Sequence, residues 1–192
     1  MALTPSTMLP LGTLAPDFSL PDTDGNKVSI CDFSSSPALV VAFICNHCPY
    51  VKHIREALAR LGDDMLAAGV SVIAINSNDI KTHPSDSPEN MVKEKAMAGY
   101  NFPYLFDADQ SVAAAYHAAC TPDFFVFDKN RRLAYRGQFD DSRPGNGLSV
   151  TGADVRSAVA EILAGRNPSA SQKPSIGCNI KWTPGREPAY AC

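Results

Sequence analysis

The chain has 192 residues, of which 45% are hydrophobic and 19% charged, and carries a net charge of −3. These values describe one folded domain with a full core and exclude a disordered chain; the small charge gives no reason to expect nucleic acid or an anionic membrane as partner. No apolar run approaches the ~20 residues that span a bilayer, and Met1-Ala2-Leu3-Thr4-Pro5 has neither the basic segment nor the apolar stretch of a signal peptide, so the expected location is cytoplasmic.

Residues 16–30 are expected to form a β-hairpin, with turn chemistry at Asp22-Thr23-Asp24-Gly25-Asn26 between two alternating segments. The apolar run Ala38 to Ile44 reads as a buried strand. Val51, Ile54, Leu58 and Leu61 then recur on one helical face, and Gly62 or Gly69 can end that helix. Val70 to Ile75 is a second core strand, and a strand–helix–strand connection makes the two strands parallel. Ser87-Pro88-Glu89 starts a helix that runs to about Gly99. A short strand is expected at 103–106 and a short helix at 111–119. A hairpin follows, with strands over 123–127 and 133–139, then a helix presenting Val155, Val159, Ile162 and Leu163. From Asn167 the composition shifts to Pro, Ser and Gly without periodicity. The order suits an α/β fold, a mixed sheet covered by helices on both faces.

Six cysteines stand at 31, 45, 48, 120, 178 and 192. In a chain of this size, read as intracellular, redox or metal chemistry is expected ahead of structural disulfides. Cys45-Asn46-His47-Cys48 joins the first core strand to the first helix. A helix N-terminus presents unpaired N–H groups and a positive dipole end, which favour thiolate. Cys45, just before the helix and exposed to its dipole, is therefore expected to be the acidic, attacking thiol and Cys48, one turn further in, the more buried resolving one. His47 between them can stabilise a thiolate, which makes the pair more oxidising. Thr121-Pro122 opens the strand over 123–127. A trans proline there simply starts an edge strand, whereas a cis one presents the neighbouring backbone to whatever packs against it.

Phe43-Ile44-Cys45-Asn46-His47-Cys48-Pro49, followed downstream by Thr121-Pro122-Asp123-Phe124-Phe125-Val126-Phe127-Asp128, resembles the thioredoxin superfamily. Ala15 to Gly25 is similar to the corresponding segment of AhpC/TSA peroxiredoxins and TlpA-like thiol-disulfide oxidoreductases. The Cys-Asn-His-Cys-Pro-Tyr-Val segment, with Pro174 to Trp182, resembles one peroxiredoxin-like group, and the likeness covers about residues 12–184. It implies a thioredoxin-like domain over 1–166; the composition makes 167–192 an extended C-terminal tail that could dock on it. It also implies that Pro122 is cis and faces the Cys45–Cys48 pair, and that the Thr121 main chain binds an extended partner. The chain departs from the peroxidase pattern Pro-x-x-x-(Thr/Ser)-x-x-Cys. Counted back from Cys48, the corresponding positions hold Cys45 and Val41; counted from Cys45 they hold Ala42 and Ala38.

Cys120 lies two residues before Pro122, and Cys178 lies in the tail. Either is a core or tail thiol, or an additional redox thiol that completes the site. The same thiols with His47 could also hold a tetrahedral zinc, but Cys120 and Cys178 are isolated rather than paired, and a proline on the dithiol obstructs coordination. The expected function is thiol-disulfide exchange by Cys45 and Cys48, with His47, Thr121 and Pro122 in the site, on protein or small-molecule disulfide and thiol substrates. No cofactor and no metal are expected. The alternatives are a thiol peroxidase with unconventional peroxide activation and a metal-binding or redox-sensing module. The sequence does not specify an oligomeric state.

Overall fold

The computed structural model describes residues 3–191. In chain order they form β1 (Leu3–Pro5), β2 (Ser19–Pro21), β3 (Lys27–Ser29), β4 (Ala38–Phe43), α1 (Pro49–Ala67), β5 (Ser71–Asn76) and α2 (Pro88–Ala98). There follow β6 (Tyr104–Phe106), α3 (Ser111–Ala115), β7 (Cys120–Thr121), β8 (Asp123–Asp128), β9 (Leu133–Gly137), α4 (Ala153–Leu163) and β10 (Ile176–Asn179).

Every residue of β4 is buried. A strand without a polar face must be covered on both sides, and β4 is the middle strand of the five-stranded sheet β6-β5-β4-β8-β9. It runs parallel to β5, as a crossover through α1 requires, and antiparallel to β8, so the sheet is mixed. The period-two alternation of strand side chains sorts β4 between two cores. Val40 and Ala42 pack with Val51, Ile54, Leu58 and Leu61 of α1 and Val155 and Val159 of α4. Leu39, Val41 and Phe43 pack on the other face with Phe125, Phe127, Val112 of α3 and Tyr116. The helices thus cover both faces in the α/β thioredoxin-like arrangement.

The N-terminal hairpin is β2–β3, paired antiparallel. Its turn is closed by the Asp22 carboxylate, which accepts the amides of Asp24 and Asn26, with Gly25 in the left-handed region at φ +84°. Helix α1 runs straight through Gly62, which serves packing instead of termination: a Cβ there would lie 2.7 Å from the Phe102 ring. Helix α3 stops at Ala115, short of the expected Ala119, because the chain turns at His117, whose φ is +51°.

Two short strands had no sequence signal. β1 and β7 flank β10 in a second, three-stranded antiparallel sheet. The segment after Asn167, read as an extended tail, therefore contains a strand. Cys178 and Ile180 are buried, and Trp182 packs against the second core. Beyond β10 the chain is held by Lys181, whose amide donates to Asn78 Oδ1 at 2.8 Å and whose carbonyl accepts the Asp79 amide at 2.8 Å.

Candidate active site

Cys45 follows the C-terminal end of β4, and Cys48 is the N-cap residue of α1, with Pro49 in the first helical turn. Proline suits that position because its missing N–H would have no intrahelical partner. Cys48 is thus the N-cap itself, not a residue one turn inside the helix. Neither sulfur is open to solvent: Cys45 is 1% exposed and Cys48 0%. The expected contrast, a Cys48 more buried than Cys45, is therefore not seen.

Thr121 brackets the pair. Its Oγ1 lies 3.4 Å from Cys45 Sγ, and its carbonyl oxygen lies 3.2 Å from Cys48 Sγ. The Thr121–Pro122 peptide bond is cis. The Thr121 backbone is not open to an external strand, however, because β7 is already paired with β10, with Cys178 opposite Thr121. A free Thr121 edge that binds an extended partner, as the resemblance implied, is therefore corrected: the chain's own C-terminal strand occupies it.

The two thiols titrate as a unit. The hydrogen bond from Cys45 holds Cys48 down to about 4 against the cost of burial, with further bonds from Thr121, Cys178 and the Val51 amide. The same bond, then burial and the Asp86 carboxylate, push Cys45 well above the ordinary thiol range. Within the pair the proton is held toward Cys45 and away from Cys48, the residue that caps α1.

Asp86, on the turn before α2, organises the motif and was missed in sequence. It is fully buried. It accepts the backbone amides of Asn46 at 2.8 Å and His47 at 3.3 Å, His47 Nδ1 at 2.6 Å and Asn78 Nδ2 at 2.8 Å. Burial alone would raise its pKa; the bonds from His47, Asn78 and Asn46 outweigh burial and hold the carboxyl below its usual range. Asn46 is fixed in turn by Tyr104 Oη, at 2.9 Å from its Oδ1, and by the Ser85 carbonyl. His47 is the outermost of these groups, with its side chain 20% exposed, and it stacks on His83 at 5.2 Å between ring centroids.

Cys45, His47 and Asp86 lie close enough to form a three-ligand group, with Cys45 Sγ 3.9 Å from His47 Nδ1. The 2.6 Å contact commits that nitrogen to the carboxylate, so the trio is built here around the His47–Asp86 pair, with the Cys45 sulfur alongside. Cys178 joins the dithiol: it is 3% exposed, shares the core cluster of Cys45 and Cys48, and hydrogen-bonds to Cys48. Cys120 points the other way along β7. Its thiol contacts the Pro122 carbonyl at 3.7 Å, and burial followed by the Asp123 charge raises its pKa. Arg136 is fully buried and its guanidinium goes to Asp123 at 3.4 Å, to Thr7 Oγ1 and to the His117 carbonyl. Cys31 is exposed, and Cys192 lies outside the described residues.

The AhpC/TSA family model matches residues 11–136. Peroxiredoxin Bcp of Escherichia coli (strain K12) is 32% identical over 104 residues, covering 54% of this chain and 62% of Bcp. Thiol-disulfide oxidoreductase ResA of Geobacillus thermodenitrificans (strain NG80-2) is 25% identical over 130 residues, covering 68% of this chain and 70% of ResA. Among solved structures, the hypothetical protein SMc02350 from Sinorhizobium meliloti 1021 is 56% identical, with a TM-score of 0.93 over 95% of this chain and 100% of that one.

Proposed function

The chain belongs to the AhpC/TSA family of the thioredoxin superfamily and is a thiol-based redox protein, and from this premise we propose that it is a thiol-disulfide oxidoreductase working through Cys45 and Cys48. The observation that carries the reading is the double contact of Thr121, hydroxyl to Cys45 and carbonyl to Cys48. At rest the shared proton stays on Cys45. When it crosses to Cys48, the Thr121 carbonyl accepts a hydrogen bond from the Cys48 S–H and the Thr121 hydroxyl can donate to the Cys45 thiolate.

Cys45, beside the partly exposed His47, then attacks a substrate disulfide. One substrate sulfur leaves as thiolate, and a mixed disulfide forms on Cys45. Cys48 attacks Cys45, which closes the Cys45–Cys48 bond and releases the second substrate thiol. Protein or small-molecule disulfides fit as substrates. Burial of both sulfurs means that local opening around His47 precedes exchange. No described helix is long and apolar enough to cross a membrane.

A peroxidase is the second reading, which the likeness to peroxiredoxin Bcp supports. Against it, Ala38, Val41 and Ala42 are buried apolar residues of β4 and offer no hydroxyl to a peroxide, and the buried Arg136 is paired with Asp123. The test is turnover of a small disulfide with a dithiol reductant, beside stopped-flow oxidation by hydrogen peroxide. Disulfide turnover that is lost in Cys45→Ser, with peroxide oxidation no faster than for a free thiol, supports exchange. Fast peroxide oxidation without disulfide turnover would overturn it.

A further inference from the structure

Cys48 hydrogen-bonds to both Cys45 and Cys178, and all three belong to one buried cluster. Strand pairing explains how a residue so distant in sequence arrives there. β10 lies antiparallel on β7 with Cys178 directly across from Thr121, the residue that touches both sulfurs of the dithiol. Gly177 permits the approach, since a Cβ at that position would stand 2.0 Å from the Thr121 carbonyl oxygen. Successive side chains of a strand point to opposite faces. Cys120 is therefore turned from these three thiols, and its own goes to the Pro122 carbonyl.

We propose that Cys178 is a third redox-active thiol of this site, exchanging with the Cys45–Cys48 disulfide to give a Cys48–Cys178 disulfide. The inference rests on the reading that Cys45 and Cys48 form a disulfide during turnover. In the step, the Cys178 sulfur attacks the Cys48 sulfur. The Cys48–Cys178 bond forms, the Cys45–Cys48 bond breaks, and the electron pair leaves on Cys45. The proton of Cys178 ends on Cys45. One disulfide replaces another, so no external oxidant is consumed. The outer thiol is returned to its reduced state, and β10 becomes covalently fixed to the N-terminus of α1. An external dithiol then reduces the inner disulfide.

The test uses the full-length wild-type protein, Cys45→Ser and Cys178→Ser. Each is oxidised with stoichiometric diamide, quenched with acid, alkylated and mapped by non-reducing peptide mass spectrometry. The expected result is an intramolecular Cys48–Cys178 peptide in Cys45→Ser, both Cys45–Cys48 and Cys48–Cys178 peptides in the wild type, and loss of the latter in Cys178→Ser. Circular dichroism checks that Cys45→Ser is folded, with Cys45→Ala as the second variant. Absence of the Cys48–Cys178 peptide from the wild type and from the folded Cys45 variant overturns the proposal. Failure of the underlying reading looks different: the wild type then gives no Cys45–Cys48 peptide, whatever the Cys45 variant forms.

Discussion

The Asp86 carboxylate holds His47 by two bonds, one to the ring nitrogen at 2.6 Å and one to the backbone amide at 3.3 Å. A single buried acid thus fixes both the main chain and the imidazole of the motif. Its folded-state pKa is depressed, so its contribution to stability is present above the unfolded value, about 3.9, and is lost as pH falls through the folded value. Asp86→Asn is expected to cost about 1–3 kcal/mol in neutral buffer, the range for leaving buried donors poorly paired. The same variant should lose less stability than the wild type on acidification below about pH 4. Urea unfolding across that range measures both. It should also bring the Cys45 thiol down, because the Asp86 charge helps to raise it.

Thr121→Val keeps the β-branched shape and removes the hydroxyl beside Cys45. A hydrogen bond to a charged group contributes about 1.5–3 kcal/mol, so loss of this one should slow reaction of the Cys45 thiolate roughly tenfold or more. Iodoacetamide labelling of the reduced protein, read at the Cys45 peptide, measures it. The Cys48 contact runs to the Thr121 carbonyl, which the substitution leaves in place. A labelling rate equal to that of the wild type would show that the hydroxyl does not act on Cys45.

One thiolate should persist in the reduced protein well below the ordinary thiol range. Cys48 is held down to about 4, while Cys45 is held up by the same hydrogen bond. Ultraviolet thiolate absorbance should therefore show one ionised sulfur in neutral buffer, titrating with an acid midpoint near 4. Cys48→Ser should abolish that step. The linked stability has the sign of a depressed pKa: relative to Cys48→Ser, the reduced wild type gains stability as pH rises from the folded value toward the unfolded one, about 8.5. Denaturant midpoints of the two proteins across this range should diverge with rising pH.

What was readable in the sequence is what local chemistry writes. The apolar run of β4, the face of α1 and the Cys-x-x-Cys between them are contiguous, and Thr121-Pro122 stands directly before another apolar run. Asp86 carried no such mark. It reads as one polar residue of a loop, and its value comes from meeting His47 across 39 positions of chain. β10 was equally silent, since Ile176-Gly177-Cys178-Asn179 has too few residues to show alternation, and it becomes a strand only through β1 and β7, themselves short. How the two thiols share a proton also needed coordinates, because it depends on which residue caps α1 and on where Asp86 lies.

Gly177 gives the sharpest test of how β10 is seated. A Cβ there would stand 2.0 Å from the Thr121 carbonyl oxygen and 2.7 Å from its carbon, and both are backbone atoms that cannot rotate aside. Gly177→Ala must therefore push β10 from β7 or shift the segment before Pro122. Overpacking of this kind costs about 1–3 kcal/mol. Hydrogen exchange should rise across residues 175–180, whose amides include that of Ile180 on the Ala119 carbonyl and that of Ser175 on Ser6 Oγ. The core amides of β4 and β5 should keep their relative protection, because those strands bond within the other sheet. If exchange at 175–180 matches the wild type and stability is unchanged, β10 is not packed against Thr121 in solution. Labelling of Cys178 by a thiol reagent provides the independent readout: it should speed up in Gly177→Ala as the strand lifts, since the residue is 3% exposed when docked.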